Sequence, residues 1–478
     1  MGRTTGFLTQ ILLARILAPQ NFGLFAIGWM MLRLFAIFGH LGFDYGVIRF
    51  GAPHYPSDIS KFKNIGTLAV LAAITSGLLL GALQFTVGPW VAQNVFNKPG
   101  LTFVFLGFAA AYPFATTLRV LAATISITTK AVWGATIEDL VQPISQIVFF
   151  LILLLCGTDE VLSAFLSTTL SYVLACCLAT VFLSRVIPGL LAPSGLSTEA
   201  FIPLASYSLP AILGASMGAF NLWGDRLLVG FFGSARDTGL YQSISLISTF
   251  TITLISGLKI SFSPRIAAFF SQENIFGIVT ISRTASRWAL YLSLPVLSTI
   301  MLNSGGIMGI IFGNEFRGAE FPLVILTFGQ IFYVLFGISD QVFLMTGNQR
   351  IWLLISGIVF ILTITLDGIL IPRYHLIGAS LVSSGMLLLL GCTSLAVLHR
   401  RLGIAALDVY HFKLVGSASL STLIVALGNT FFDLAEPPRI IINFFAISFI
   451  FLFTAGIVGL EPTDFHILRN FFSTRNEK

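Results

Sequence analysis

The sequence predicts an all-α protein that crosses a membrane about fourteen times. Hydrophobic residues make up 56% of its 478 residues and charged residues only 10%, whereas a soluble domain is roughly half apolar and about one-quarter charged. Apolar runs near the ~20 residues that cross ~30 Å of hydrocarbon recur from end to end, separated by short polar or Gly/Pro turns. Together with a mean hydropathy of +0.93, these runs exclude a soluble fold.

The fourteen spans follow one another along the whole chain. In order, they are predicted at residues 4–18, 22–43, 65–85, 101–122, 136–156, 161–184, 204–223, 239–260, 287–312, 321–345, 351–371, 377–398, 412–430 and 440–459. An even number of spans puts both termini on one side of the membrane. Most of the 26 Lys and Arg residues, including Lys259 and Arg287, fall on that side, which identifies it as the cytoplasm. The same asymmetry accounts for the formal charge of +6, so no nucleic-acid partner is predicted.

The first span is short. Residues 4–18 rise only about 22 Å at about 1.5 Å per residue, which is less than the thickness of the hydrocarbon layer. The sequence therefore predicts either a truncated first helix or a misassigned start codon.

An internal repeat divides the spans into two halves. Shifting the sequence by 216 residues superimposes four identical pairs, namely Leu12 on Leu228, Gly23 on Gly239, Leu24 on Leu240 and Arg49 on Arg265. In both copies a predicted helix ends in a short turn, and the next helix begins with the sequence Gly-Leu-aromatic. We predict an N-terminal lobe in residues 1–198 and a second six-helix lobe in residues 199–403. An axis along the membrane normal would relate the two lobes, an arrangement that suits alternating access around a central cavity.

Several stretches carry a resemblance to a known family. They are ILLARILAPQNFGLFAI at 11–27, LGF and GVIRF within 41–50, DRLLVGFFGSARDTGLYQSI at 225–244, IIFGNEF at 310–316 and LIPRYHLIGAS at 370–380. They resemble the polysaccharide transporter family, the bacterial flippases for lipid-linked O-antigen and exopolysaccharide repeat units. This family lies within the multidrug/oligosaccharidyl-lipid/polysaccharide exporter superfamily. The resemblance covers nearly the whole chain.

The resemblance implies a fold, a location and a substrate. The fold is two six-helix lobes that form a V-shaped cavity, with two extra helices in residues 404–478. The location is the bacterial inner membrane, and the substrate is an undecaprenyl-diphosphate-linked oligosaccharide of the O-antigen, exopolysaccharide or capsule type. Membrane lipids, a polysaccharide polymerase and a chain-length regulator are the implied partners. The chain departs from the family in its short first helix and in Asp367, where the family commonly has Asn.

Arg33 is the deepest charge in the N-terminal half. It lies in the middle of the second span, where an Arg costs about 2.5–3.5 kcal/mol on insertion scales, so it must face protein or water. His40 and Asp44 follow within about 20° on the same helical face, at 100° per residue. One interpretation is an ion pair that locks this helix to a neighbour. The other, which the resemblance favours, is a watery, positively charged cavity in which Arg33 and His40 bind the substrate diphosphate and Asp44 takes part in gating.

Arg119 and Asp340 are related by the repeat. They fall one residue apart when the fourth span is shifted by 220 residues onto the tenth. Equivalent helices of two lobes would bring them to similar depths on opposite walls. We therefore hypothesise that Arg119 contributes to the substrate cavity, and that it pairs with Asp340 in one state of the transport cycle and separates from it in the other. The alternative is independent snorkelling near the cytoplasmic face.

Two further carboxylates lie near the ends of spans. Asp225 closes the seventh span and Asp367 lies in the eleventh. Each is either an interfacial residue or a participant in coupling to a proton or sodium ion, because an intramembrane carboxylate can carry either cation. No other cofactor is predicted, and no metal site, because no His, Cys or carboxylate groups occur at metal-ligand spacing.

Residues near span ends are interpreted as interface anchors. Trp90 and Tyr241 are the aromatic examples, and Arg49 and Arg265 are the basic ones. Most of the 46 Phe residues are expected to pack or face lipid rather than to bind sugar.

The sequence indicates a transporter rather than an enzyme, and no catalytic residue is predicted. It contains no GxSxG, P-loop or HExxH motif. A polysaccharide polymerase or a membrane glycosyltransferase would carry a sizeable external loop, whereas the longest stretches between spans lie on the cytoplasmic side. A drug/cation antiporter of the related branch would need acidic residues in the N-terminal lobe, where the deep charge is Arg33. These remain the alternatives to a flippase.

Overall fold

The protein is helical in every part of the chain that the structure describes. The computed structural model describes residues 2–128, 132–189, 198–432, 435–458 and 461, and the regular secondary structure within these ranges consists of helices alone. The predicted all-α class is confirmed. The chain divides into two compact units, residues 1–243 and 244–478.

The first unit contains ten helices in the described ranges, the last of which continues into the second unit. They are α1 Gly2–Gly39, α2 Phe43–Gly46, α3 Ile59–Trp90, α4 Leu101–Ala109, α5 Tyr112–Thr128, α6 Val132–Thr136, α7 Gln142–Leu155, α8 Glu160–Val186, α9 Thr198–Phe232 and α10 Ala235–Ser248. Three π-helical segments, Val47–Gly51, Val91–Val95 and Ile137–Val141, extend or join these helices. Ile27, Leu101 and Phe105 pack together in the core of this unit.

The second unit continues with eight helices in the described ranges. They are α11 Phe250–Ser271, α12 Ile275–Leu302, α13 Ser304–Ile311, α14 Glu320–Phe336, α15 Ser339–Met345, α16 Gln349–Leu402, α17 Val409–Gly428 and α18 Glu436–Val458. Leu294 and Leu297 of α12, Val334 of α14 and Phe451 of α18 meet in a buried apolar cluster.

The predicted spans lie on these helices. Ten described helices are long and apolar enough to cross a membrane, and the bent pair α4 and α5 makes an eleventh candidate. Two of the ten each carry two predicted spans, with a non-helical residue between them: Ala18, before Pro19, in α1 and His375 in α16. The seventh predicted span lies on α9. The chain is therefore a multi-pass membrane protein.

Two glycines related by the repeat pack against each other. A Cβ on Gly23 would overlap the carbonyl oxygen of Ala235 and lie 2.8 Å from the nitrogen of Gly239. A Cβ on Gly239 would overlap the carbonyl oxygen of Pro19 and lie 3.0 Å from the nitrogen of Gly23. The shift of 216 residues also relates Pro19 to Ala235, so the contact is reciprocal. Only residues without a side chain allow α1 and α10 to approach this closely.

Helix α18 is joined to its neighbours near both ends. Arg287 of α12 forms an ion pair with Glu461, just beyond α18. Toward the other end, the buried Asn443 amide donates a hydrogen bond to the Asn303 side-chain oxygen at 2.8 Å. The first residue of α18, Glu436, pairs with Arg317. These contacts tie α18 to α12 and to the loop after α13.

The boundary between the two units does not coincide with the predicted lobe boundary. The units meet at 243/244, whereas the sequence predicts lobes that meet at 198/199. Helix α9 packs on α1 and α2 within the first unit, which accounts for the difference. The division into two pseudo-symmetric lobes, with 404–478 as an addition, stays a prediction.

Candidate functional site

A polar cavity of about 260 Å³ lies within the first unit. Its wall is formed by α1, α2, α5, α8, α9 and the π-helical segment Ile137–Val141. The predicted residues Arg33, His40, Asp44 and Arg119 all line it. The fold thus brings these four side chains together, but the prediction that His40 and Asp44 share one helical face with Arg33 is wrong, because α1 ends at Gly39 and Asp44 lies on α2.

The Arg33 guanidinium has aromatic neighbours in the cavity rather than a carboxylate partner. It lies 5.0 Å from the centre of the Trp29 ring, and Trp29 meets Trp223 edge to face at 6.3 Å. Its buried Nε has no hydrogen-bond partner among the residues that the structure describes. The same part of the chain provides no ion pair for Arg33, so the structure does not support the interpretation that Arg33 locks two helices together.

Arg119 is held between two carboxylates. Its Nε lies 3.2 Å from Asp44 Oδ2 and its Nη1 lies 2.9 Å from Glu138 Oε2. The other oxygen of Asp44 lies 3.2 Å from His40 Nδ1. Asp44 thus joins the two predicted basic residues, and Glu138 completes the network from the π-helical segment.

A left-handed turn brings Asp44 into this network. Helix α1 ends at Gly39, and Leu41 and Gly42 have φ values of 53° and 69° before α2 begins. A Cβ on Gly42 would overlap the carbonyl oxygen of Ser208 on α9. Glycine is needed here both for the positive φ and for the close approach. The turn redirects the chain, so Asp44 faces Arg119.

The charges of the cavity nearly cancel. Two guanidinium groups, Arg33 and Arg119, face two carboxylates, Asp44 and Glu138, so the formal charge of these side chains is zero when His40 is neutral. The sequence predicts a positively charged cavity, whereas the formal charges of these side chains sum to zero, because Asp44 and Glu138 both pair with Arg119. The positive field is concentrated around Arg33.

Among the lining residues that sequence reasoning missed are Glu138, Tyr172 and Trp223. Glu138 left a signal, because it and Asp139 form an acidic pair at the start of an apolar run. Acidic residues are common in the first turn of a helix, so the pair did not suggest a site. Nothing in the local sequence distinguishes Tyr172 and Trp223 from other aromatic residues of the spans.

Asp225 lies elsewhere in the first unit. It accepts a 2.8 Å hydrogen bond from the hydroxyl of Tyr241, whose side chain is fully buried. The prediction that Tyr241 is an interface anchor is therefore wrong. Arg226, the neighbour of Asp225, is also buried.

Asp340 and Asp367 lie in the second unit. Asp340 Oδ2 is 2.7 Å from Lys259 Nζ, which also lies 3.4 Å from the hydroxyl of Tyr333. These three side chains line a small cavity of about 70 Å³. Lys259 is therefore an internal ion-pair partner rather than a surface charge. Asp367 is fully buried in α16.

Arg119 and Asp340 each have other partners in this conformation. Arg119 pairs with Asp44 and Glu138, and Asp340 pairs with Lys259. Their hypothesised pairing in one state of a transport cycle stays a prediction.

A second charge cluster surrounds Arg287, whose side chain is fully buried in α12. Its Nη1 lies 2.6 Å from Asp408 Oδ2, and Asp408 also contacts His411 at 2.7 Å. Asp408 lies between the candidate spans of α16 and α17. Burial alone would raise the pKa of Asp408, but the charges of His411 and Arg287 and the hydrogen bonds from His411 outweigh burial and lower the pKa below its ordinary value.

Comparison with known sequences gives partial matches. A family model described as "Polysaccharide biosynthesis protein" matches residues 1–270. The probable low-salt glycan biosynthesis flippase Agl15 of Haloferax volcanii is 26% identical over 251 residues, 51% of this chain and 50% of that protein. The capsular polysaccharide biosynthesis protein CapF of Staphylococcus aureus is 20% identical over 175 residues, 36% of this chain and 44% of that protein. The chain matches about half the length, or less, of these relatives.

Solved structures share the fold over most of the chain. The lipid II flippase MurJ, in an inward closed conformation, matches over 96% of both chains with a TM-score of 0.77 and 14% identity. An inward-facing multidrug resistance MATE family transporter of the MOP superfamily matches 85% of this chain and 95% of its own, with a TM-score of 0.69 and 14% identity. These likenesses show the fold. The proteins named here as flippases and transporters agree with the prediction that the chain is not an enzyme.

Proposed function

Because the chain belongs to the polysaccharide biosynthesis protein family, whose model covers more than half of it, we propose that it is a flippase for a lipid-linked oligosaccharide. The substrate is an undecaprenyl-diphosphate carrier bearing an O-antigen, exopolysaccharide or capsule repeat unit. The protein moves it from the inner to the outer leaflet of a bacterial inner membrane, with both of its own termini in the cytoplasm.

The environment of Arg33 is the observation that carries this proposal. Its guanidinium lines a cavity, contacts Trp29 and lacks an ion-pair partner in the described part of the chain. A diphosphate would supply the acceptors that the Arg33 nitrogen atoms lack, because a guanidinium donates parallel hydrogen bonds to phosphate oxygens. An apolar or cationic drug would not compensate this charge.

The neighbouring residues have separate roles in the proposed mechanism. Arg119 and His40 contribute further donors to the anionic head group, while Asp44 keeps both oriented and acts in gating. The head group crosses within the protein as two lobes rock, and the lipid tail stays in the bilayer. Asp225 and Asp367 are the proposed carriers of a coupling proton or sodium ion, with Asp340 as a gating residue. Product consumption by a polymerase and its chain-length regulator would also draw the substrate outward.

Complementation of a deletion strain tests the proposal. The strain receives wild type, Arg33→Ala or Arg185→Ala, and its lipid-linked intermediates are assigned to a leaflet. Arg33→Ala should slow translocation by at least about tenfold, because a hydrogen bond to a charged group contributes about 1.5–3 kcal/mol, and intermediates should accumulate on the cytoplasmic leaflet. Arg185 is exposed at the end of α8 and outside the cavity, so its variant is the matched control and should behave as wild type.

Two outcomes would count against the proposal. If the deletion changes the polymer chain length while translocation continues, the protein acts at the polymerisation step instead. If Arg33→Ala transports at the wild-type rate at equal membrane abundance, Arg33 does not bind the head group.

A further inference from the structure

We propose that Glu138 is an exchangeable counter-ion of Arg119. It pairs with the Arg119 guanidinium between transport events and is displaced by the diphosphate of an incoming substrate. This inference rests on the proposed function of the cavity. It assigns to Glu138 a negative effect on affinity, which a residue that only stabilises the fold would not have.

The geometry of Arg119 allows one of its two partners to leave. Nε contacts Asp44 at 3.2 Å, whereas Nη1 contacts Glu138 at 2.9 Å. The two carboxylates therefore use different nitrogen atoms of one guanidinium. Loss of the Glu138 contact would free the Nη1 end of the fork while Asp44 still fixes the Nε end.

The two carboxylates differ in how firmly they are held. The side chain of Asp44 is 4% exposed and also contacts His40, whereas the side chain of Glu138 is 23% exposed. Among the residues that the structure describes, Arg119 is the one ion-pair partner of Glu138. The Arg119 side chain itself is 46% exposed, so water screens its attraction to Glu138. Glu138 is therefore the partner that can be displaced.

The backbone around Glu138 suits such a movement. Glu138 lies in the π-helical segment Ile137–Val141, between α6 and α7. Single π-helical turns interrupt the regular hydrogen bonding of an α-helix and are frequent at functional sites. The Thr5 hydroxyl of α1 donates a 2.8 Å hydrogen bond to the carbonyl oxygen of Asp139, so the backbone beside Glu138 is tethered while the Glu138 side chain reaches into the cavity.

Competition for Arg119 follows from these contacts. A diphosphate and the Glu138 carboxylate cannot both occupy the Nη1 end of the guanidinium, and they repel each other at short range. The diphosphate carries more charge than the carboxylate and accepts bidentate hydrogen bonds, so it displaces Glu138 from Arg119. When it leaves, Glu138 returns to Arg119. The exchange weakens the hold on the head group and favours release of the substrate.

Binding of a short prenyl diphosphate tests the inference directly. The full-length protein in detergent is titrated with farnesyl diphosphate, and heat release gives the Kd. Glu138→Gln keeps the side-chain shape but removes the competing charge, so the Kd should fall roughly three- to tenfold, the range expected when a part-exposed ion pair no longer has to be broken. Glu138→Ala should change the Kd in the same direction, and Arg119→Gln should weaken binding.

Asp139→Asn is the matched control. It removes the same charge one residue away, from an exposed side chain that does not line the cavity, and its Kd should equal that of wild type. If Asp139→Asn tightens binding as much as Glu138→Gln, net charge is responsible and the inference is overturned. Thermal unfolding first establishes that both Glu138 variants are folded. The inference is also overturned if these folded variants bind farnesyl diphosphate no more tightly than wild type. Failure of the wild type itself to bind the probe would instead refute the proposed function.

Discussion

Replacing Gly23 by Ala tests the close contact between α1 and α10. The added Cβ would overlap the carbonyl oxygen of Ala235 and lie 2.8 Å from the nitrogen of Gly239. Both obstacles are backbone atoms, so neither can move aside by a change of rotamer. Helices α1 and α10 must separate instead, which breaks neighbouring contacts along both helices.

The expected destabilisation can be worked out from two opposing terms. Overpacking a tight contact costs about 1–3 kcal/mol, and the upper end applies because the backbone itself must shift. Alanine gains up to about 1 kcal/mol over glycine in helix propensity. The net loss is therefore about 2 kcal/mol. Gly239→Ala should lose a similar amount, and the double variant should lose less than the sum, because the first substitution already separates the helices.

Thermal unfolding in detergent measures this effect, with Gly6→Ala as the matched control. Gly6 lies on the same helix, and outside its own turn of backbone no atom lies within 4 Å of an added Cβ, so Gly6→Ala should be as stable as wild type or slightly more so. If Gly23→Ala unfolds at the same temperature as Gly6→Ala, α1 and α10 do not pack as described.

Two further variants probe the buried polar contacts. Tyr241→Phe removes the 2.8 Å hydrogen bond from Tyr241 to Asp225 and should lower the free energy of unfolding by about 1–2 kcal/mol. The control Tyr374→Phe, at an exposed position, should leave it unchanged. Equal unfolding temperatures of the two variants would contradict a stabilising Tyr241–Asp225 hydrogen bond. Asp408→Asn should cost about 2 kcal/mol, less than the ~3–5 kcal/mol of a broken buried pair, because a second carboxylate still faces Arg287. Since the folded-state pKa of Asp408 is lowered, its contribution is present above its ordinary pKa and is lost as the pH falls through the lowered value. The difference in unfolding temperature between wild type and Asp408→Asn should therefore be present at neutral pH and shrink below about pH 4. A difference that is absent at neutral pH would contradict the ion pair.

The positions of the membrane helices could be predicted because the bilayer imposes a length. About 20 apolar residues are needed to cross it, and the predicted spans accordingly lie on described helices. What the hydropathy pattern could not show is continuity. Ala18 and His375 adopt positive φ values inside α1 and α16, so two pairs of spans join with hardly an intervening loop.

The cavity could be predicted only in part, from the polar residues of one stretch of sequence and from Arg119. Arg33, His40 and Asp44 are spaced for one face of a helix, but α1 ends at Gly39, and the left-handed turn before α2 is what brings Asp44 to the cavity. Glu138 comes from a different helix, and only tertiary structure brings it to Arg119. The charge rule for loops predicts Lys259 on the cytoplasmic side, but it takes no account of a lysine that pairs with a carboxylate inside a helix bundle, as Lys259 does with Asp340.

The attachment of α18 has a practical consequence for following the protein at work. Glu461 pairs with Arg287 of α12, and Asn443 pairs with Asn303 beside the far end of that helix. With contacts near both ends, α18 cannot slide along α12 without breaking buried polar bonds, so the two helices should travel together. A fluorophore attached at Phe449 of α18, which is 73% exposed and does not line the cavity, would therefore report the displacement of α12 during turnover.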